Sequence, residues 1–399
     1  LLGFIVLALL ALPFFIDINN YKPEISAAIY DNTGRNVDIG HIDLSVFPWV
    51  GISLKNIYLQ NDPNFTNPFL LTAASVDIQL ELAPLFNSEY KVKSFIVDQP
   101  KIWLEIKDDY SNNWDNTQQS HTDPTQAVLP TPRPSKKASS DTPMALNAEL
   151  LEVRRGQVVW SDANTGKFTL SDIQLKIKDL QLDQPISITL AANLEGNPFN
   201  INASVGPVGD LSDFKLKNIP ALIQLQSEQF NLAPFKQWLP EFDQEQVTMF
   251  GDLQSAYINF NVSVEQHTDN TILSSGFLQA QLKDNFNASW KVNSHNAKTI
   301  NIQELKLDIN DTHALQVSGK IKNLTKTPRF EIRAETPTLQ RIWLNQFVPG
   351  LQALYLSHPK PWQNIKLGTL IAGDQDIIDI RDLQMQLDGE PIQASGNIA

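Results

Sequence analysis

The sequence predicts a mostly β protein: a long antiparallel sheet, a few short helices and one N-terminal transmembrane helix. Three observations predict it. From Val37 onward apolar and polar residues alternate, the period of a half-buried strand. The alternation recurs in a repeated form with a doubled spacer. The first sixteen residues, Leu1 to Ile16, carry no charge.

The repeated form is the strongest of the three. Its copies are Val37-x-Ile39-x-x-Ile42-x-Leu44-x-Val46, Ile52-x-Leu54-x-x-Ile57-x-Leu59 and Tyr90-x-Val92-x-x-Phe95-x-Val97. Phe168-x-Leu170-x-x-Ile173-x-Leu175-x-Ile177, Ile300-x-Ile302-x-x-Leu305-x-Leu307-x-Ile309 and Ile378-x-Ile380-x-x-Leu383-x-Met385-x-Leu387 follow. Each doubled spacer shifts the side-chain phase by one residue, which requires a bulge or a strand that changes faces. The copies are unevenly spaced, so the chain is no fixed-period solenoid. In the last two, Ser318-Gly319 and Ser395-Gly396 interrupt the strand that follows.

The remaining elements follow in chain order. A helix over residues 1–16 spans about 24 Å against a hydrocarbon core of ~30 Å. No small-x-small cleavage site precedes Asp17, so the segment reads as an anchor rather than a signal peptide. It lacks a basic flank, and the sequence is read as beginning inside it. Asn20 to Thr33 reads as a helix with Pro23 near its start and Gly34 as its stop. Strands over 186–194 and 199–205, 286–292, and 315–321 with 330–334 fill the gaps. Two helical patches end at prolines: Leu232 to Leu239, and Leu339 to Val348. Ile392 to Ala399 reads as the second arm of a hairpin, and the chain as ending inside a sheet. Asp115 to Pro143 holds five prolines among Ser, Thr, Gln and Lys and reads as a disordered linker or loop. The expected organisation is an anchor over 1–16, an N-terminal module over 17–114, the linker over 115–143 and a β-sheet region over 144–399.

Composition narrows the chemistry. The 399 residues contain no cysteine and carry a net charge of −13. That excludes disulfides and thiolate chemistry, and an acidic balance argues against nucleic acid. The six histidines are scattered, and there is no HExxH, P-loop, GxGxxG or GxSxG. No enzyme, cofactor or metal site is expected. Carboxylates such as Asp43, Asp77 and Asp308 fall at solvent-facing strand positions, and Trp103, Trp114 and Trp160 read as core.

The segment from Asp17 to Trp114 resembles the N-terminal region of the bacterial AsmA family. The matching residues are Tyr21 and Pro23; Thr33, Gly34 and Arg35; Pro48 and Trp49; Gly51 with Leu54; the Asn61-Asp62 turn; and Asn113-Trp114. Asn112 stands where a glycine is often seen. From the residues themselves, Gly34 ends the helix and Arg35 caps carbonyls or pairs locally. Trp49 reads as a hairpin anchor packed on the N-terminal helix, or as a membrane-surface wedge.

The resemblance implies a single inner-membrane anchor with the bulk of the chain in the periplasm. It also implies kinship with bridge-like lipid-transfer proteins of the TamB and chorein types, in which a long curled β-sheet forms an open groove. Family members are linked to outer-membrane biogenesis, through phospholipid traffic or outer-membrane protein assembly, and are commonly longer than this chain. The expected partners are phospholipids, the inner membrane and an outer-membrane or periplasmic protein. Candidate groove residues are Ile300, Ile302, Leu305, Leu307 and Ile309, with Ile378, Ile380, Leu383, Met385 and Leu387. Two alternatives stay open. Bulged strands also build curved sandwiches around a sealed core. A scaffold for outer-membrane proteins would recruit clients by strand addition at a free edge.

Overall fold

A residue inserted into one strand of an antiparallel pair sets two residues opposite one, and the phase of the side chains is restored beyond it. The computed structural model of the chain is organised by such insertions. It describes residues 17–45, 49–81, 92–115, 148–209, 219–239, 247, 251–295, 298–324, 327–340, 364–374 and 377–398. They hold nineteen strands in two units, one comprising residues 1–196 with 206–210, the other 197–205 with 211–399.

The first unit starts with a 3₁₀ turn, Ile18–Tyr21, and helix α1, Lys22–Thr33. Its strands are β1 (Val37–Ser45), β2 (Val50–Gln60), β3 (Phe69–Leu80), β4 (Val92–Asp98), β5 (Lys101–Ile106), β6 (Ala148–Asp162), β7 (Gly166–Leu180) and β8 (Ile186–Leu194). Strands β1, β2 and β3 pair antiparallel in order. Strands β4 and β5 are two arms of one strand kinked at Gln99-Pro100, both antiparallel to β3. Both are parallel to β6 in a single register, Asp98 opposite Arg154 and Lys101 opposite Gln157. These parallel pairs correct the expectation of a wholly antiparallel sheet. Parallel neighbours need a long connection, which the chain between Ile106 and Ala148 supplies. The predicted linker falls there, and its residues from 116 lie outside the described ones. Strands β6, β7 and β8 are antiparallel.

The second unit is an antiparallel series: β9 (Asn197–Val205), β10 (Ala221–Asn231), β11 (Tyr257–Gln266), β12 (Thr271–Gln281), β13 (Asn285–His295) and β14 (Thr299–Ile309). Strands β15 (Thr312–Lys322), β16 (Arg329–Gln340), β17 (Asn364–Gly373), β18 (Ile378–Leu387) and β19 (Glu390–Ile398) complete it. Each pairs with the next. The patch at Leu232 to Leu239 is a 3₁₀ turn, Ala233–Trp238. Of the other predicted helical patch, Leu339 is strand, the penultimate residue of β16, and residues 341–348 lie outside the described ones. No helix among the described residues is long and apolar enough to cross a membrane, and the predicted anchor over 1–16 lies outside them.

The doubled spacers become inserted residues. In β7, β14 and β18 the register shifts by one at the spacer, at Ser171/Gln174, Ile302/Leu305 and Ile380/Leu383. In the first unit the insertions align into a row. Gly40 of β1, Asn56 of β2, Ala74 of β3, Gln99, Arg155 of β6 and Asp172 of β7 follow one another across the pairings. Asn56, Gln99, Arg155 and Asp172 all have φ near +50°. Across the row the register runs on from β1 to β3; between β6 and β7 it shifts at Gly156 and is restored by Val158, since each strand carries one insertion. Where β8 alternates without one, it shifts. In β14 and β18 the residue opposite Ile302 or Ile380, just before the insertion, is a glycine, Gly319 or Gly396. A Cβ on Gly319 would come 2.2 Å from the Glu331 carbonyl oxygen.

Strand β1 has an open side, and the N-terminal turns occupy it. Asn19 bonds both backbone groups of Ile42, accepting from its N–H at 2.9 Å and donating to its carbonyl at 3.2 Å. Lys22 Nζ donates to the Gly40 carbonyl at 2.6 Å and Ser26 Oγ to that of Val37 at 3.4 Å. Helix α1 thus blunts an edge that would otherwise template another strand.

The left-handed row makes a testable statement. Asn56→Gly should leave stability nearly unchanged, whereas Asn56→Val should lose about 1–2 kcal/mol, the left-handed penalty of a residue bearing a Cβ, aggravated by branching. Urea denaturation followed by tryptophan fluorescence measures both.

Candidate functional site

Residues directly opposite in a strand pair project from the same face of the sheet. Strand β13 alternates without interruption, so Phe286, Ala288, Trp290 and Val292 share a face. Their partners in β14 are Ile309, Leu307, Leu305 and Ile302. The insertion at Gln303-Glu304 therefore keeps both halves of that copy on one face. The series continues through Leu315, Val317 and Ile321 of β15, Ala334, Ile332 and Phe330 of β16, and Leu367, Ile371 and Gly373 of β17. It reaches Ile378, Ile380 and Met385 of β18, with Leu383 two residues before Met385. Leu387 pairs with Ile365 in register. Ile300, opposite Ser294 and Ile321, belongs to the same face.

This face is not sealed. Of the candidate residues whose burial is described, Ile309 alone is fully buried, at 2% exposure, whereas Leu305 is 37% and Ile378 43% exposed. The others described are half-buried. Among the described residues, the fully buried apolar residues of the second unit are few, four alanines (Ala256, Ala280, Ala314 and Ala372) and four larger (Ile219, Leu232, Ile309 and Ile365). A closed sandwich buries its large aliphatic residues; here most of the candidate residues are half-buried or exposed. Completing the burial of a Leu or Ile side chain is worth up to ~1.5–3 kcal/mol.

The polar side of the first unit carries a ladder of charged pairs. Asp43 lies between Lys55 (2.6 Å) and His41 (2.9 Å), and both hold its carboxyl below its usual range, Lys55 most. Arg155 grips Asp98 at 2.5–3.2 Å and lowers its pKa. Glu152, 5% exposed, takes Arg154 at 2.7 Å and Lys176 at 3.4 Å. Hydrogen bonding to Arg154 is the main cause that keeps its pKa below 4.5.

The motif residues shared with the resembled family divide into two groups. Thr33, Gly34, Arg35, Asn113 and, with it, Asn61 form a clasp in which Arg35, Asn61 and Asn113 are buried. Gly34 closes α1 in the left-handed conformation, φ 66°, its N–H on the Tyr30 carbonyl at 2.7 Å. Thr33 Oγ1 accepts from the Arg35 N–H at 3.2 Å. The Arg35 guanidinium, 7% exposed, donates to the Asn113 carbonyl at 2.7 Å and to Asn61 Oδ1 at 3.4 Å. Its pairing is thus with a segment seventy-eight residues away, not local. Burial lowers its pKa and Asp62 opposes this. Asn113, 1% exposed, accepts from the Glu105 N–H at 2.9 Å and donates to the Trp103 carbonyl at 2.8 Å.

The second group stays apart from the clasp's interior. Tyr21 is exposed and Pro23 lies in the first turn of α1. Pro48 lies outside the described residues. Trp49 sits under Lys93 Nζ, 3.2 Å from the ring centroid. Trp114, expected in the core, is exposed and stacks obliquely on Trp160 at 5.4 Å. Buried Glu152 and the insertions at Ala74 and Arg155 escaped the sequence reading. The pattern Leu71-x-Ala73-x-x-Val76 and Leu151-x-Val153-x-x-Gly156 would have shown the latter, had small residues been counted as apolar.

Fold and face together define a class of β-sheet protein whose strands keep one half-open apolar face through repeated bulges. The AsmA family profile matches residues 1–324, and the chain belongs to the AsmA family. Searches of curated proteins and of solved structures each return no match. Family membership supports, in broad terms, a role in the cell envelope and outer-membrane biogenesis.

Two measurements check this geometry. Asn113→Ala leaves the Glu105 N–H and the Trp103 carbonyl without partners and should cost about 2–3 kcal/mol in urea unfolding. Glu152 is depressed in the folded state, so the unfolded chain binds more protons between the two pKa values. Its stabilisation is complete above pH 4.5 and is lost as pH falls through the lower folded value. Glu152→Gln should lower stability at neutral pH and flatten that acid limb in a pH series of denaturation curves.

Proposed function

We propose that this protein is held in the bacterial inner membrane by one N-terminal helix over residues 1–16 and works in the periplasm. There the half-open apolar face carries phospholipid acyl chains, and the protein contributes in this way to outer-membrane biogenesis. The observation that carries this reading is the persistence of one face. Ile302, Leu305, Gly319, Ile332, Ile371 and Ile380 stay on it from β14 to β18 despite two insertions. Each acyl CH₂ removed from water there is worth roughly 0.8 kcal/mol. The head group can stay wet at the open side. The mechanism is passive, without enzyme chemistry or cofactor. Lipids move down a gradient in chemical potential, and an outer-membrane or periplasmic partner supplies any further driving force.

The scaffold reading requires a free edge for strand addition, and at β1 the edge groups at Val37, Gly40 and Ile42 are taken by Ser26, Lys22 and Asn19.

Native mass spectrometry of the chain from Asp17 onward, purified from the periplasm without detergent, tests the proposal. Phospholipid should copurify and should be lost from Leu305→Asp and Leu307→Asp variants whose far-ultraviolet circular dichroism is unchanged. A lipid-free, cooperatively folding wild type overturns it.

A further inference from the structure

On the polar side of the second unit, several charges form complementary pairs. Lys306 meets Glu304 at 2.5 Å, Arg381 meets Asp379 at 2.6 Å, and Arg333 lies 3.7 Å from both Glu335 and Asp382. At one place two cations face each other instead. At the ends of β15 and β16, Lys322 stands directly opposite Arg329, and Lys320 stands two residues before Lys322. Like charges facing one another across an antiparallel pair are destabilising. All three are exposed, and none forms an ion pair among the described residues.

These three cations and Arg381 line one cavity of about 660 Å³. Its carboxylates are Glu331, opposite Lys320, and Asp374, which already accepts from the Ile377 N–H at 3.2 Å. With Arg381 paired to Asp379, three cations face two carboxylates in a chain whose net charge is −13. Two flexible ammonium groups and a guanidinium converging on one concavity match a tetrahedral oxyanion, with Arg supplying a planar pair of donors and Lys point charges.

We propose that this cavity binds a phosphate ester through Lys320, Lys322 and Arg329. The bound anion relieves the repulsion between Lys322 and Arg329, which accounts for an arrangement that costs stability when empty. The ester has two sources, a phospholipid head group or a soluble phosphate monoester.

Isothermal titration of the full chain in a non-ionic detergent, with sn-glycerol 3-phosphate and separately with dihexanoyl phosphatidylglycerol, tests the proposal. At least one probe should bind, more weakly as salt rises. The triple variant Lys320→Gln, Lys322→Gln, Arg329→Gln should bind it on the order of tenfold more weakly. A control of equal charge change, Lys167→Gln, Lys178→Gln, Lys236→Gln, should bind as the wild type does, and thermal melting confirms that both variants fold. Binding of the lipid alone assigns the site to a head group; comparable binding of glycerol 3-phosphate assigns it to soluble esters. No binding of either probe by the wild type, or equal loss in the control, overturns the proposal.

Discussion

Side chains of a β-strand alternate between two faces, and one extra residue reverses that alternation. A chain with a doubled spacer in strand after strand would scatter its apolar residues over both faces unless each extra residue were absorbed locally. The bulges absorb it. Asn56, Asp172 and Asp382 adopt the left-handed conformation as the second residue of their spacers. Asn and Asp tolerate that conformation better than other residues bearing a Cβ. The first unit goes further and sets its insertions in one row, so that neighbouring strands shift together and their hydrogen-bond ladders continue. Every later property of the apolar face depends on this bookkeeping of single residues.

Given a persistent apolar face, what holds the N-terminal end is polar. The Arg35 guanidinium ties the end of α1 to the Asn61 turn and to Asn113. Asn113 in turn satisfies backbone groups of β5. Buried side chains of this kind are worth most when every partner is in place, since each lost bond leaves a desolvated group. The clasp fixes where α1 leaves the sheet, and α1 with the turn before it occupies the open side of β1. The motif shared with the AsmA family is therefore an architectural device for starting the sheet.

The two faces do different work. On one, Leu305 and Ile378 remain more than a third exposed, although they sit in an unbroken apolar series. On the polar side of the first unit, carboxylates and cations pair, with Glu152 held between Arg154 and Lys176. A sheet of this kind satisfies its own backbone in the ladders and leaves apolar area for something else to cover. In the proposed function acyl chains cover it, since the face is continuous from β13 to β18 and asks for no specific polar contact. The uncompensated cations of β15 and β16 then stand out as a place where a phosphate group is recognised.

The strands, the bulges and the family were legible in the sequence because they rest on local patterns. Alternation marks a strand, a doubled spacer marks an inserted residue, and Thr33-Gly34-Arg35 marks a helix end. Where small residues replaced large ones, at Ala73 and Gly156, the same pattern passed unnoticed. The side to which each half-copy points was not legible, since Ile302 and Leu305 differ in parity and nothing local says where the extra residue goes. The uninterrupted β13 beside them decided it, because pairing transmits one strand's phase to the next. The parallel placement of β4 and β5 against β6, the long reach of Arg35 to Asn113 and the facing of Lys322 with Arg329 were likewise settled by tertiary structure. Each joins residues through strand register or across a long connection, and register is a property of pairs of strands that no single strand encodes.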